Sequence, residues 1–175
     1  MSNTGLPVSV DPIKFAEQHV ELEGIIPFER FTRLPGLVRS EQGDVAARLL
    51  FGKDEQGRIL VTGSVQVELL LECQRCLGDL PYKLEAEVCL AVVFSDDKAK
   101  NLPREYDPYI VDGYDLNIAE MVEEEILLAL PAFGYHESGE CSLDYKAGDE
   151  GEQVPDQSVE KTGPFSVLSE LKVKK

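Results

Sequence analysis

The strongest pattern in the chain is a period of two near its middle. Ile59, Val61, Gly63, Val65, Val67, Leu69 and Leu71 alternate with Leu60, Thr62, Ser64, Gln66, Glu68 and Leu70. Successive strand side chains point to opposite faces, so this spacing predicts a long strand with one buried face. Tyr82, Leu84, Ala86, Val88, Leu90, Val92 and Phe94 repeat the pattern over 82–94. A shorter strand is predicted at 45–51, joined to the first by the turn Asp54-Glu55-Gln56-Gly57. Three strands linked in order make an antiparallel meander. The polar connection 95–113 holds Pro103 and Pro108, with a short strand predicted at 109–111.

From residue 116 the period becomes helical. Ile118, Met121, Val122, Ile126, Ala129 and Leu130 fall on one face of a helix predicted over 116–130 and stopped by Pro131. That face suits the apolar side of the meander. Nearer the start, an extended piece ends at Asp11-Pro12, where Asp11 as N-cap and Pro12 at the first helical position predict a short helix to about His19. A second short helix is predicted after Ile26, with Pro27 in its first turn, ending before Pro35. The whole reads as an α+β fold: an antiparallel β-meander packed on one face by a long helix, with short N-terminal helices and a disordered acidic tail. Residues 1–136 form the core domain, 137–163 an acidic flexible linker, and 164–175 a short docking segment carrying Phe165, Leu168 and Leu171.

Charge narrows the range of functions. Among 175 residues, 17 Lys+Arg stand against 33 Asp+Glu, a net charge of −16. Such a chain repels polyphosphate at long range, so a broad nucleic-acid grip is disfavoured and basic proteins are the easier partners. The acid concentrates in 120–160, where Lys146 is the only base, and the sign reverses in 161–175. The longest unbroken apolar run, 88–94, is far short of the ~20 residues that cross a bilayer. No apolar run follows the start, so a cytoplasmic protein without a membrane partner is expected. Cys73, Cys76, Cys89 and Cys141 are too unevenly spaced for a disulfide framework and are expected to stay reduced.

Cys73-Gln74-Arg75-Cys76 is the sharpest motif. At the bend of a β-hairpin, a two-residue gap lets both thiolates face one ion, giving half of a zinc knuckle. His136 and Cys141, just past the helix, are the candidates for the other two ligands. Cys89 fits poorly, since strand parity turns it away from the apolar face. The alternative is a reduced structural turn that holds no metal. A thioredoxin-like role is weaker, because that chemistry places its cysteine at a helix N-terminus and strand pattern flanks this pair on both sides. Glu125 falls within the apolar stripe of the helix, whereas Glu123 and Glu124 fall outside it. Either Glu125 pairs with Arg75 at the hairpin tip, or it is a rim position that reaches solvent. No nucleophile elbow, phosphate-cradling glycine loop or His/Asp pair at catalytic spacing occurs, so nothing in the residues points to an enzyme.

The segments LECQRCLGDLPYKL (71–84), MVEEEILLALP (121–131) and PFSVLSELK (164–172), in that order, closely resemble the YceD family of bacterial large ribosomal RNA subunit accumulation proteins. VDPIKFAEQ (10–18) and LPREYDPYIV (102–111) extend the resemblance over nearly the whole chain. It implies a cytoplasmic, non-enzymatic factor needed for synthesis, processing or stability of 23S ribosomal RNA. Members often sit in the genome beside a large-subunit ribosomal protein. The family's CxxC corresponds to Cys73 and Cys76; many relatives complete a zinc site with a cysteine-rich cluster after the main helix, where this chain has only His136 and Cys141.

Two modes of action follow. In the first, the acidic surface engages a basic ribosomal protein or a large-subunit assembly factor, and Arg75 at the tip or Phe165, Leu168 and Leu171 add specificity. In the second, structured RNA is bound directly by the basic residues of 30–58, namely Arg30, Arg33, Arg39, Arg48, Lys53 and Arg58. No stacking aromatics interleave with them. A stand-alone metal or redox module would depend wholly on Cys73 and Cys76.

Overall fold

Alternation in the sequence becomes burial in the fold. A computed structural model describes residues 5–39, 43–137 and 139–141. In chain order its elements are β1 (Ser9–Val10), α1 (Pro12–Gln18), β2 (Glu21–Ile26), β3 (Val45–Lys53), β4 (Ile59–Glu72), β5 (Asp79–Val93), α2 (Asp96–Ala99), β6 (Asp107–Ile110), β7 (Leu116–Asn117) and α3 (Ile118–Ala129). Two 3-10 turns, Phe28–Arg30 and Leu34–Leu37, lie between β2 and β3. Five strands form one sheet in the order β2-β3-β4-β5-β6.

The backbone of this sheet is the β4–β5 hairpin, which stays in register from Ile59 opposite Val92 to Glu72 opposite Asp79. Its buried face pairs Val61 with Leu90, Val65 with Ala86, Val67 with Leu84 and Leu71 with Leu80. Gly63 interrupts that row for a steric reason. Its φ is +154°, and a Cβ there would lie 1.9 Å from the carbonyl oxygen of Arg48. Cys89 points outward, as strand parity predicts.

Several elements differ from the expectation. Glu21–Ile26, which lacks clean alternation, is a strand held in place by its antiparallel neighbour β3. The sheet is mixed and not a pure meander, because β6 joins β5 in parallel. The second N-terminal helix is replaced by the two 3-10 turns, and Pro35 sits inside the second of them. The main helix begins at Ile118 because Leu116 and Asn117 are engaged as a strand with Val10 and Ser9. Asn117 then caps the helix, its side-chain oxygen accepting from the N–H groups of Ala119 and Glu120 at 3.1 and 3.3 Å. The predicted acidic linker, beyond Cys141, and the segment with Phe165, Leu168 and Leu171 lie outside the described residues.

α3 packs against β4 and β5 through Ile118, Met121, Val122 and Ile126. Glu123, which helical spacing set outside the stripe, is buried with its side chain 2% exposed. One of its oxygens accepts from the backbone N–H groups of Thr32, Arg33 and Leu34 at 2.8, 2.7 and 2.9 Å. The other faces the Arg33 guanidinium at 3.2 Å. Burial pushes this carboxyl up, but those N–H groups and Arg33 outweigh it and hold it below its ordinary range. One carboxylate thus fastens the irregular segment after β2 to the helix.

Removing Glu123 leaves three backbone donors without their acceptor, that of Leu34 buried and those of Thr32 and Arg33 partly so. Glu123→Ala is therefore expected to destabilise the fold by about 3 kcal/mol, read as a lower urea midpoint. Because the folded group titrates below its unfolded value, its contribution is complete above that value. It is lost as pH falls from about 4.5 through the folded pKa. Glu123→Gln is expected to flatten the acid limb of the stability–pH curve; an unchanged limb would contradict the clamp.

Candidate metal centre

The tip of the β4–β5 hairpin is built by its own backbone. Cys73 N–H donates to the Gly78 carbonyl at 2.9 Å and Leu77 N–H to the Cys73 carbonyl at 2.8 Å, closing a tight loop around the CxxC pair. Leu77 adopts a left-handed conformation, φ +57°, with its side chain 60% exposed. That turn aims the Cys73 and Cys76 sulfurs toward the same side.

After Pro131 the chain returns along this tip. Gln74 N–H donates to the Gly134 carbonyl at 2.9 Å. Gly134 has no Cβ, and one there would lie 2.8 Å from a methyl of Leu80, which would have to move aside. Two residues later His136 donates from Nε2 to the Asp79 carbonyl at 2.9 Å. A carbonyl only accepts, so this bond fixes the proton on Nε2 and leaves Nδ1 free as a ligand.

The four residues expected from the sequence meet here. The Cys76 sulfur lies 3.4 Å from His136 Nδ1, the Cys141 sulfur 3.8 Å from the same nitrogen, and the Cys73 and Cys141 sulfurs are 3.8 Å apart. All four donor atoms lie within 4.8 Å of one another. A tetrahedral ion with metal–sulfur bonds of about 2.3 Å and a metal–nitrogen bond of about 2.0 Å requires edges of roughly 3.5–3.8 Å. The cluster therefore matches in donor type and in size, and can close around one such ion. Burial alone would push the Cys73 thiol up. The N–H groups of Cys76, His136 and Arg75 overcome that and bring it down to about 5. The N–H of Gly78 does the same for Cys76 against burial. Thiolates are the ligand form, so the backbone prepares the pair for a cation.

Two arginines support the tip. Arg39 bonds Asp79 at 3.0 Å, the Leu77 carbonyl at 2.7 Å and Glu72, and so spans both strands at the mouth of the loop. Sequence grouping placed it in a basic cluster, and no local signal marks it as a brace. Arg75 lies 5.7 Å over the Tyr135 ring with Nη1 3.8 Å from the Cys141 sulfur. The expected Arg75–Glu125 pair is not among the described contacts. Glu125 is half-buried, and burial, with Asp107 and Glu124, pushes its carboxyl up.

The basic residues of 30–58 are all engaged by neighbours. Arg30 donates to the carbonyls of Leu6 and Pro7. Arg33 pairs with Glu123 and Glu124, Arg39 with Glu72 and Asp79, Arg48 with Glu21, Lys53 with Glu17, and Arg58 with Asp54. No helix among the described residues is long and apolar enough to cross a membrane.

Residues 61–172 match the family model described as large ribosomal RNA subunit accumulation protein YceD. A Haemophilus influenzae protein named large ribosomal RNA subunit accumulation protein YceD is 34% identical over 177 residues, covering 99% of this chain and 100% of the relative. No solved structure matches the chain.

The geometry predicts one tetrahedral ion per chain. Reduced, tag-free protein refilled with cobalt is expected to show thiolate charge-transfer bands and the visible bands of a tetrahedral site, lost in Cys141→Ser. Spectra without those bands would exclude a closed site. Leu77→Gly relieves the left-handed strain and is expected to stabilise the tip by ~1 kcal/mol, read as slower metal loss to a chelator.

Proposed function

The chain belongs to the YceD family, the large ribosomal RNA subunit accumulation proteins, and from that premise we propose that it supports accumulation of 23S ribosomal RNA through protein contacts, in the cytoplasm and without catalysis. The family is named for ribosomal RNA accumulation, not for an enzymatic reaction. The observation that favours protein over RNA as the direct partner is electrostatic. The chain carries −16, and each cation of the basic stretch 30–58 already has a carboxylate or carbonyl beside it. Binding a phosphate with Arg33 or Arg39 would mean breaking the clamp on Glu123 or the brace on the tip. An acidic surface instead suits a basic protein of the large subunit or a factor that assembles it.

In this reading Cys73, Cys76, His136 and Cys141 hold zinc, whose role is structural. Four protein donors leave no open position for water or substrate, which is the pattern of a structural site. The ion pins residues 131–141 to the hairpin tip and so shapes the surface that a partner meets. Phe165, Leu168 and Leu171 supply a second apolar contact.

A deletion strain is expected to show a lower ratio of mature 23S to 16S ribosomal RNA. Wild type should restore it, Cys73→Ser/Cys76→Ser should not, and a chain cut after Glu160 should restore it only in part. An unmoved ratio would remove the ribosomal role. Full rescue by the double-serine form would leave the role and remove the zinc. Purified wild type is expected to give no salt-resistant shift of 23S fragments; a strong one would favour the RNA mode.

A further inference from the structure

Beside the metal centre lies a groove of about 350 Å³ between the hairpin tip and the C-terminal end of α3. Leu37, Leu71, Leu127, Leu130, Pro131 and Ala132 line it. Leu37 in its wall is 59% exposed, and Ala132 beside it is exposed as well. A single exposed leucine is ordinary on a protein surface, but one set at the rim of an apolar concavity, over partly buried leucines, fits a contact surface.

We propose that this groove is the docking site for an apolar side chain carried on a cationic segment of a large-subunit ribosomal protein. The inference rests on the reading that the chain works through protein contacts, and it assigns the surface and the chemistry of the partner. Charge selects the occupant. Glu72 forms part of the wall, Asp79 lies at the mouth of the tip, and Glu137 and Glu140 follow Tyr135 along the returning chain. Against these acids stand Arg39, already shared between Glu72 and Asp79, and Arg75, stacked on Tyr135. A second copy of the chain would bring another −16 to this face, and RNA would bring its phosphates. A basic segment gains from the same field and can fill the groove with leucine- or phenylalanine-like anchors.

The metal centre and the groove share a wall. Pro131, Ala132 and Gly134 line one side of the groove, and their segment is fastened at Gly134 to Gln74 and at His136 to Asp79 and the cysteines. Loss of the ion should therefore loosen the wall and weaken docking, although no ligand of the metal touches the partner.

The test presents each purified large-subunit ribosomal protein, one at a time, to the full-length zinc-loaded chain and measures affinity at several salt concentrations. Leu37→Asp/Ala132→Asp alters exposed positions of the groove wall, so its urea midpoint should match wild type. Tyr114→Asp serves as a control, since Tyr114 is 68% exposed and packs near Phe94, at the end of β5 away from the tip. At least one protein is expected to bind wild type, with affinity falling as salt rises. Leu37→Asp/Ala132→Asp and Cys141→Ser should each weaken it at least about tenfold, and Tyr114→Asp should not. A protein that binds wild type and Leu37→Asp/Ala132→Asp equally well overturns the groove while leaving protein-mediated function standing. Equal loss in Tyr114→Asp also overturns it, as nonspecific attraction. If no protein binds wild type, the protein-contact reading fails together with the groove.

Discussion

The return of the chain after Pro131 onto the hairpin tip is the constraint on which the candidate metal centre depends. A two-stranded ribbon that projects beyond its sheet has too little neighbouring surface to be rigid by itself. Here the Gln74–Gly134 and His136–Asp79 hydrogen bonds add a third layer to the tip. Arg39 braces it from the other side through Glu72, Asp79 and the Leu77 carbonyl. Only with these supports do four donor atoms from segments sixty-eight residues apart, Cys73 to Cys141, come within 4.8 Å of one another.

The same economy operates at Glu123 on α3. The segment between β2 and β3 has too little regular structure to satisfy its own N–H groups, and Glu123 satisfies three of them at once. A buried carboxylate is costly in isolation, and it is tolerated here because every part of its charge is met by a donor. The arrangement consumes Arg33, just as the tip consumes Arg39. Arg30, Arg33, Arg39, Arg48, Lys53 and Arg58 are thus each held by a group of the protein itself. The net charge of −16 agrees with the cationic partner proposed for the groove.

The long hairpin and the main helix were legible because their patterns are local and long. Alternation over β4 and β5 and a helical stripe stopped by Pro131 leave little room for another assignment. The group of donors that could hold a metal was legible by residue type, since a CxxC at a hairpin bend asks for two further donors and His136 and Cys141 were the ones at hand. Strand β2 was not legible: Glu21–Ile26 has glycine in its middle and no clean alternation, and only pairing with β3 makes it a strand. The parallel edge at β6 was likewise hidden, because strand direction is not written in a four-residue segment.

Glu123 and Glu125 mark the boundary most clearly. Helical spacing alone put Glu125 in the stripe and Glu123 outside it, and the fold reversed that emphasis. Spacing reports which side of a helix is apolar; it does not report that a neighbouring loop will bring three N–H groups to a carboxylate. The sequence by itself determined the hairpin, the helix, the acidic character and the identity of the four donors, since each depends on residues close in the chain or on composition. The brace by Arg39, the close approach at Gly134, the buried Glu123 and the groove beside the metal centre were decided only in the tertiary structure. Each of these is a contact between distant segments, and its energy comes from groups that no local pattern places together.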